Sequence, residues 1–215
     1  MRKRLFIYGG GGFAMEVLSC IRLLEKSLDY EYSFSGFIAE RDFIEDGLDM
    51  DCYVGDRNDN PFVSGDGVVL AIGRNTHFKE EMFNFFDSRG AHFPNIIHPS
   101  CYIYTKNVGM GNIIMQNCMA SHNVCIGNFN LFNGYNCAGH HSIIGSFNSL
   151  NSYVSMHGHS KLGNHNILGI YSALLPKAIV GNDNFVAPGS MIYKRFRDGG
   201  LIGGNPACLL SSRLP

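Results

Sequence analysis

The sequence predicts two folds in series: a small Rossmann-like α/β domain over residues 1–95, then an all-β parallel β-helix over residues 96–215. Three observations carry this. A short motif recurs five times at an interval of 18 residues, as Val108-Gly109-Met110-Gly111-Asn112, Ile126-Gly127-Asn128-Phe129-Asn130, Ile144-Gly145-Ser146-Phe147-Asn148, Leu162-Gly163-Asn164-His165-Asn166 and Val180-Gly181-Asn182-Asp183-Asn184. A finer period of six runs inside it: every sixth residue from Val108 to Ile192 is apolar, fifteen in succession, in a chain that is 45% apolar overall. The first 95 residues show neither period and alternate between short apolar runs and helical spacing.

The N-terminal elements follow in order. Residues 5–8 form a short buried strand, and Gly9-Gly10-Gly11-Gly12 a tight turn. From residue 13 to 26 the apolar side chains Ala14, Val17, Leu18, Ile21 and Leu24 keep helical spacing. Residues 33–38 are a second strand and 68–72 a third, ending in Gly73; a further helix covers 75–87. Strands alternating with helices give a small parallel sheet. The glycine turn between strand and helix presents backbone N–H groups at a helix N-terminus, a cradle for phosphate. Gly9-x-Gly11-x-x-Ala14, with Glu40 downstream, fits a dinucleotide fingerprint. A tight turn made only for close packing gives the same pattern. The domain is too short for a full dehydrogenase fold, so a mononucleotide or nucleotide sugar is the better occupant.

The periods then set the second domain. Six residues make one side of a triangular coil and three sides one turn, so residues 18 apart stack about 4.8 Å apart. Every sixth residue points inward. Asn112, Asn130, Asn148, Asn166 and Asn184 fall in one column and are expected to bond as a ladder. Tyr135, Tyr153 and Tyr171 make an outward column, read as stacking or subunit packing.

Bulk properties exclude several function classes. The net charge of −1 gives no field for nucleic acid or an acidic membrane. No apolar run reaches membrane-spanning length, and the apolar stretch after Met1 is too short for a signal peptide. Seven scattered cysteines without a CxxC pair fit a reduced, cytoplasmic protein. No Asp or Glu occurs between Asp87 and Asp183, so most of the coil region has no carboxylate of its own.

The chain resembles the bacterial sugar acyltransferases that include sialic-acid O-acetyltransferases and nucleotide-aminosugar N-acetyltransferases. The motifs that carry this are Gly9-Gly10-Gly11-Gly12-Phe13-Ala14-Met15-Glu16-Val17, Gly36-Phe37-Ile38-Ala39-Glu40, Ala71-Ile72-Gly73, Ile97-His98-Pro99-Ser100, the coils, and Gly203-Gly204-Asn205-Pro206-Ala207. The resemblance implies a left-handed helix and a homotrimer. It implies a nucleotide sugar on the glycine-rich domain and acetyl-CoA, as cosubstrate rather than resident cofactor, in the cleft between neighbouring prisms. It puts the catalytic histidine at His140, in Gly139-His140-His141-Ser142-Ile143-Ile144-Gly145. His140 lies two places after the inward Ala138, so the period also turns it outward. Three positions depart from the family pattern: His141 stands for the usual acidic neighbour, Phe13 for a histidine near the sugar, and Cys208 for a basic residue after Asn-Pro-Ala.

The expected activity is acetyl transfer from acetyl-CoA to the amine of a nucleotide-linked sugar, for surface polysaccharide or glycan synthesis. His140 acts as base and the Gly158 N–H, one coil above, as oxyanion donor. Asn133, Ser149, Gly158, Ala173 and Lys177 are candidates for the CoA chain. Gly9, Gly11, Gly12, Phe13 and Glu40 are candidates for the nucleotide sugar. Stacked histidines raise the question of a metal, but no carboxylate or cysteine set joins them and none is assigned. O-acetylation of a sialic-acid-like sugar or another hydroxyl is the nearest alternative. A nucleotide-binding β-helix without catalysis is another.

Overall fold

The structure, a computed structural model, describes residues 2–212. It divides into two compact units, Met1–Pro99 and Ser100–Pro215.

The first unit is built on a parallel sheet. β1 (Lys3–Tyr8) leads through Gly9–Gly11 into α1 (Gly12–Leu24). β2 (Tyr32–Ile38), β3 (Tyr53–Gly55), β4 (Gly67–Leu70) and α2 (Thr76–Asp87) follow, and the sheet order is β3-β2-β1-β4. The expected strands and helices all form, with no end shifted by more than two residues. β3 and the short 3₁₀ turns at Arg41–Phe43 and Met50–Cys52 have no periodic signal in the sequence. Leu5, Phe6 and Ile7 are fully buried, as are Val17 and Ile21 of α1, so the apolar stripe of the helix covers the central strand. The chain steps from β1 to β2 and β3 on one side, then returns to place β4 on the other. That reversal leaves a crevice beyond the carboxyl ends of β1 and β4, the position at which open α/β sheets bind ligands. Both helices begin there.

The second unit is a parallel β-helix. Its two-residue strands pair in register with strands one coil away: Phe132↔Leu150, Ala138↔Met156 and Ile144↔Leu162 each bridge 18 residues. The closing coil is two residues shorter, with Val180↔Phe196. The column of every sixth residue fills the interior, and of its fifteen members all but Val108 are buried. The asparagine ladder forms as expected, coil to coil within the chain: Asn130 donates to Asn112 Oδ1 at 3.1 Å, Asn148 to Asn130 at 3.0 Å, and Asn166 and Asn184 continue it. These amides are buried, so each bond satisfies a group that is costly to strand.

Each side ends in a turn whose corner residue is left-handed. Twelve such residues recur every six positions from Asn117 to Asp183, with φ between 55° and 67°. Only asparagine, aspartate and histidine among ordinary side chains adopt this region readily. Here aromatic corners stack on one another: Tyr135 on Tyr153 at 4.9 Å, Tyr153 on Tyr171 at 4.8 Å, and Phe129 on Phe147 at 5.2 Å. Stacking offsets the backbone cost and accounts for the exposed tyrosine column. The chain closes with a hairpin, Leu201–Gly204 against Ala207–Ser211.

Candidate functional site

The crevice of the first unit is a cavity of about 560 Å³ lined by the whole glycine turn, Phe13, Glu40, Phe43, Glu45, Asn75 and Phe78, among others. Gly9 has φ +151° and a Cβ there would lie 2.9 Å from the Ala71 carbonyl, so only glycine fits. At Gly11 a Cβ would lie 2.7 Å from Glu45 Oε2. That carboxylate accepts the Gly12 N–H at 2.8 Å, capping α1 where Gly11 supplies no side-chain cap. An anion therefore already sits on the helix N-terminus, as the macrodipole favours. Glu40 lines the same cavity, with Oε1 receiving the Tyr8 hydroxyl at 3.2 Å and Arg57 Nε at 3.1 Å. Burial first, and then the Glu40 charge, push the Tyr8 phenol up, so it stays a donor. Tyr8, Glu45 and Arg57 were missed in the sequence, because no motif or period marks them.

In the second unit His140 is exposed at a turn, its ring laid against the coil above. A Cβ on Gly158 would stand 2.7 Å from His140 Cε1 and 2.8 Å from Nε2. The Gly158 carbonyl accepts the Lys177 N–H at 3.1 Å, while its own N–H has no acceptor among the described residues. His140 Nδ1 faces His141 Nδ1 at 3.1 Å, and His141 Nε2 faces the Asn123 amide nitrogen at 3.1 Å. His159 stacks on His141 at 4.8 Å and stands edge-on to His140 at 5.3 Å. Desolvation first, then the nearby His141, His140 and Lys177 charges, hold the His159 imidazole below its ordinary value. Asn123, like Tyr8, escaped the sequence reading, although the 18-residue stacking rule places it directly below His141.

Ligating atoms of His140, His141 and His159 lie within 4.8 Å of one another. The planes of His141 and His159 are only 13° apart, so their in-plane lone pairs run parallel rather than meeting at one ion.

The CoA candidates divide. Gly158 and Lys177 lie beside the histidines, and Lys177 is exposed. Asn133 is half-buried, and its Oδ1 accepts the Gly134 N–H at 3.0 Å. Ser149 and Ala173 are 1% and 6% exposed, so their side chains present almost no surface to a ligand in the single chain. Both belong to two-residue strands whose members are buried on both faces, a covering that the hexad period does not reveal.

No family model matches the sequence, and no curated protein matches it. Solved structures do. PerB from Caulobacter crescentus, in complex with CoA and GDP-perosamine, superposes with a TM-score of 0.83 at 23% identity over 96% of this chain and 97% of its own. The acetyltransferase domain of PglB from Neisseria gonorrhoeae, in complex with acetyl coenzyme A, gives 0.85 at 18% identity over 98% and 100%. The chain has the fold of these enzymes. AntD, an N-acyltransferase from Bacillus cereus in complex with dTDP and 3-hydroxybutyryl-CoA, matches over 56% of this chain and 80% of its own, with a TM-score of 0.53 at 19% identity. Among the described residues no helix is long and apolar enough to cross a membrane.

Proposed function

We propose that this chain is an acetyl-CoA-dependent N-acetyltransferase acting on the amine of a nucleotide-linked sugar. The observation that carries the reading is the His140 ring lying on the bare Cα of Gly158, beside a backbone N–H without an acceptor. An exposed imidazole with one free nitrogen supplies a base, and the N–H beside it supplies an oxyanion donor. The full-length likeness to PerB, solved with CoA and GDP-perosamine, supports both the acyl donor and the kind of acceptor.

The sugar amine attacks the thioester carbonyl while its proton passes to His140 Nε2. The carbonyl oxygen becomes an oxyanion facing the Gly158 N–H. The tetrahedral intermediate then collapses, the C–S bond breaks, and the thiolate of CoA recovers a proton from His140. Lys177 and Asn133 are placed on the CoA chain. Gly9, Gly11, Gly12, Phe13 and Glu40 line the nucleotide-sugar site, with the diphosphate on the N-terminus of α1.

The first unit is a Rossmann-like nucleotide domain, residues 1–95, and the second, 96–215, a left-handed helix. The chain works as a homotrimer, because an outward His140 needs a neighbouring prism to close its cleft. The enzyme works in the cytoplasm, where acetyl-CoA is made, and His140 acts without a metal. The test is thiol release from acetyl-CoA with a panel of nucleotide amino sugars against their hydroxyl counterparts. Turnover with the hydroxyl sugars alone moves the assignment to O-acetylation, and none with either removes it.

A further inference from the structure

We infer that Asn123 is a positioning residue that sets, through His141, which nitrogen of His140 carries the proton. The inference rests on the proposed role of His140 as base. It starts from two contacts in series: Asn123 amide to His141 Nε2, and His141 Nδ1 to His140 Nδ1, each at 3.1 Å.

A neutral imidazole has one N–H and one lone pair, so a fixed partner at one nitrogen decides the other. His141 stands in the middle of the series and transmits the choice. If the amide nitrogen of Asn123 donates to His141 Nε2, then His141 carries its proton on Nδ1 and gives it to His140 Nδ1. His140 is then left with its proton on Nε2, the nitrogen open to substrate, and cannot act there as a base. A half-turn of the Asn123 amide puts Oδ1 in the same place. Oδ1 accepts the His141 Nε2–H, His141 Nδ1 accepts the His140 Nδ1–H, and His140 Nε2 presents a lone pair. Only the second arrangement is productive.

The carboxylate that would force this outcome is absent. No acidic residue lies between Asp87 and Asp183, and His141 occupies the place beside the base. The other ionisable neighbours of the pair, His122 one coil below and His159 and Lys177 above, bring positive charge or none. An asparagine one coil below is thus the acceptor within reach. When His140 takes the substrate proton, its Nδ1–H remains bonded to His141. The Asn123 oxygen at the far end of His141 then favours the charged form through the intervening ring. Asn123 suits this position because its φ of 60° is in the left-handed region that asparagine tolerates.

The test uses the full chain with ring-¹⁵N histidine. Long-range ¹H–¹⁵N spectra at pH 8 report the tautomer of His140, assigned by loss of its signals in His140→Ala. Asn123→Gly removes the amide at a backbone conformation that glycine accepts without strain, and an unchanged thermal midpoint verifies the fold. The wild-type protein is expected to hold His140 chiefly as the Nδ1–H tautomer. Asn123→Gly is expected to shift the population toward Nε2–H and to lower kcat in proportion, about fivefold, with both KM values unchanged. Asn123→Asp, an acceptor only, should restore the Nδ1–H form and move the acidic limb of the kcat profile to higher pH. A wild-type His140 that is chiefly Nε2–H, or a population indifferent to Asn123→Gly, overturns the inference. Failure of the base assignment looks different: His140→Ala then turns over normally while the tautomer still responds to residue 123.

Discussion

The ring of His140 rests on the bare Cα of Gly158, so closely that a methyl group there would stand 2.7 Å from Cε1. The two residues are 18 apart, and the coil period alone sets them one above the other. Gly158 is outside the positive-φ set, so its backbone accepts alanine without strain. Its smallness serves the ring and the ligand rather than the turn.

Gly158→Ala therefore tests geometry without testing the fold. The ring must swing away from the Gly158 N–H, and misplaced groups of this kind cost about 10²-fold in rate. We expect kcat to fall by roughly that factor in steady-state assays with saturating acetyl-CoA, and the thermal midpoint to stay within about 2 °C.

His140→Ala is expected to lower kcat by about 10²–10⁴-fold and leave CoA affinity roughly unchanged, as removal of a general base requires. His141→Ala should cost less, since an imidazole supplies no fixed negative charge. His141→Glu should move the acidic limb of the pH–rate profile upward, because a carboxylate beside His140 favours the imidazolium and the base is lost at higher pH. A downward move would contradict the contact between the two rings.

How much of this was legible in the sequence differs between the two units. In the β-helix one period dictates the pairing, the interior column and the asparagine ladder, and the same arithmetic sets His140 outward below Gly158. The corner positions were less legible. A left-handed φ at tyrosine or phenylalanine is unusual for the single residue, and only stacking with the next coil makes it affordable. Burial of Ser149 was hidden for a related reason, since the hexad says which side chains face inward but not what covers the outward ones. In the first unit the glycine turn announced the crevice, yet Glu45 lines it, and Arg57 holds Glu40 on its wall, from a segment whose only regular elements are two 3₁₀ turns and the three-residue β3. Nothing local in residues 41–57 encodes that approach.

At the glycine turn, Gly11→Val should raise the KM for the nucleotide sugar at least about tenfold and leave the KM for acetyl-CoA unchanged, because the added carbons occupy the space at the helix N-terminus. Glu45→Ala should do the opposite to the same constant and lower it, since its carboxylate holds the Gly12 N–H that a phosphate needs. Parallel initial-rate series in both substrates check the pair. Equal loss in both KM values would point to misfolding or to CoA at this turn instead.

Stability carries a separate pH signature. Lys79 of α2 is 3% exposed, and burial pulls its ammonium down to about 7. Above that value the folded chain holds fewer protons than the unfolded one, so stability rises with pH from near 7 until the ordinary lysine range. Burial raises the Tyr8 and Tyr30 phenols, and their contribution falls away once unfolded tyrosine ionises near pH ~10, which closes the window. Denaturant melts at pH 6.5 and 9.5 should show wild type more stable at the higher pH. Lys79→Met should remove most of that difference by stabilising the protein at pH 6.5.

Acetyl transfer from CoA to a sugar amine, with His140 as base, is open to direct measurement. The most direct measurement is thiol release from acetyl-CoA by wild type and His140→Ala with nucleotide-linked amino sugars, with mass spectrometry of the product. One acetyl group on the sugar nitrogen, one thiol released per acetyl, and a loss of about 10²-fold or more in the variant are expected. An unacetylated amine with wild type, or near-normal turnover by His140→Ala, would contradict it.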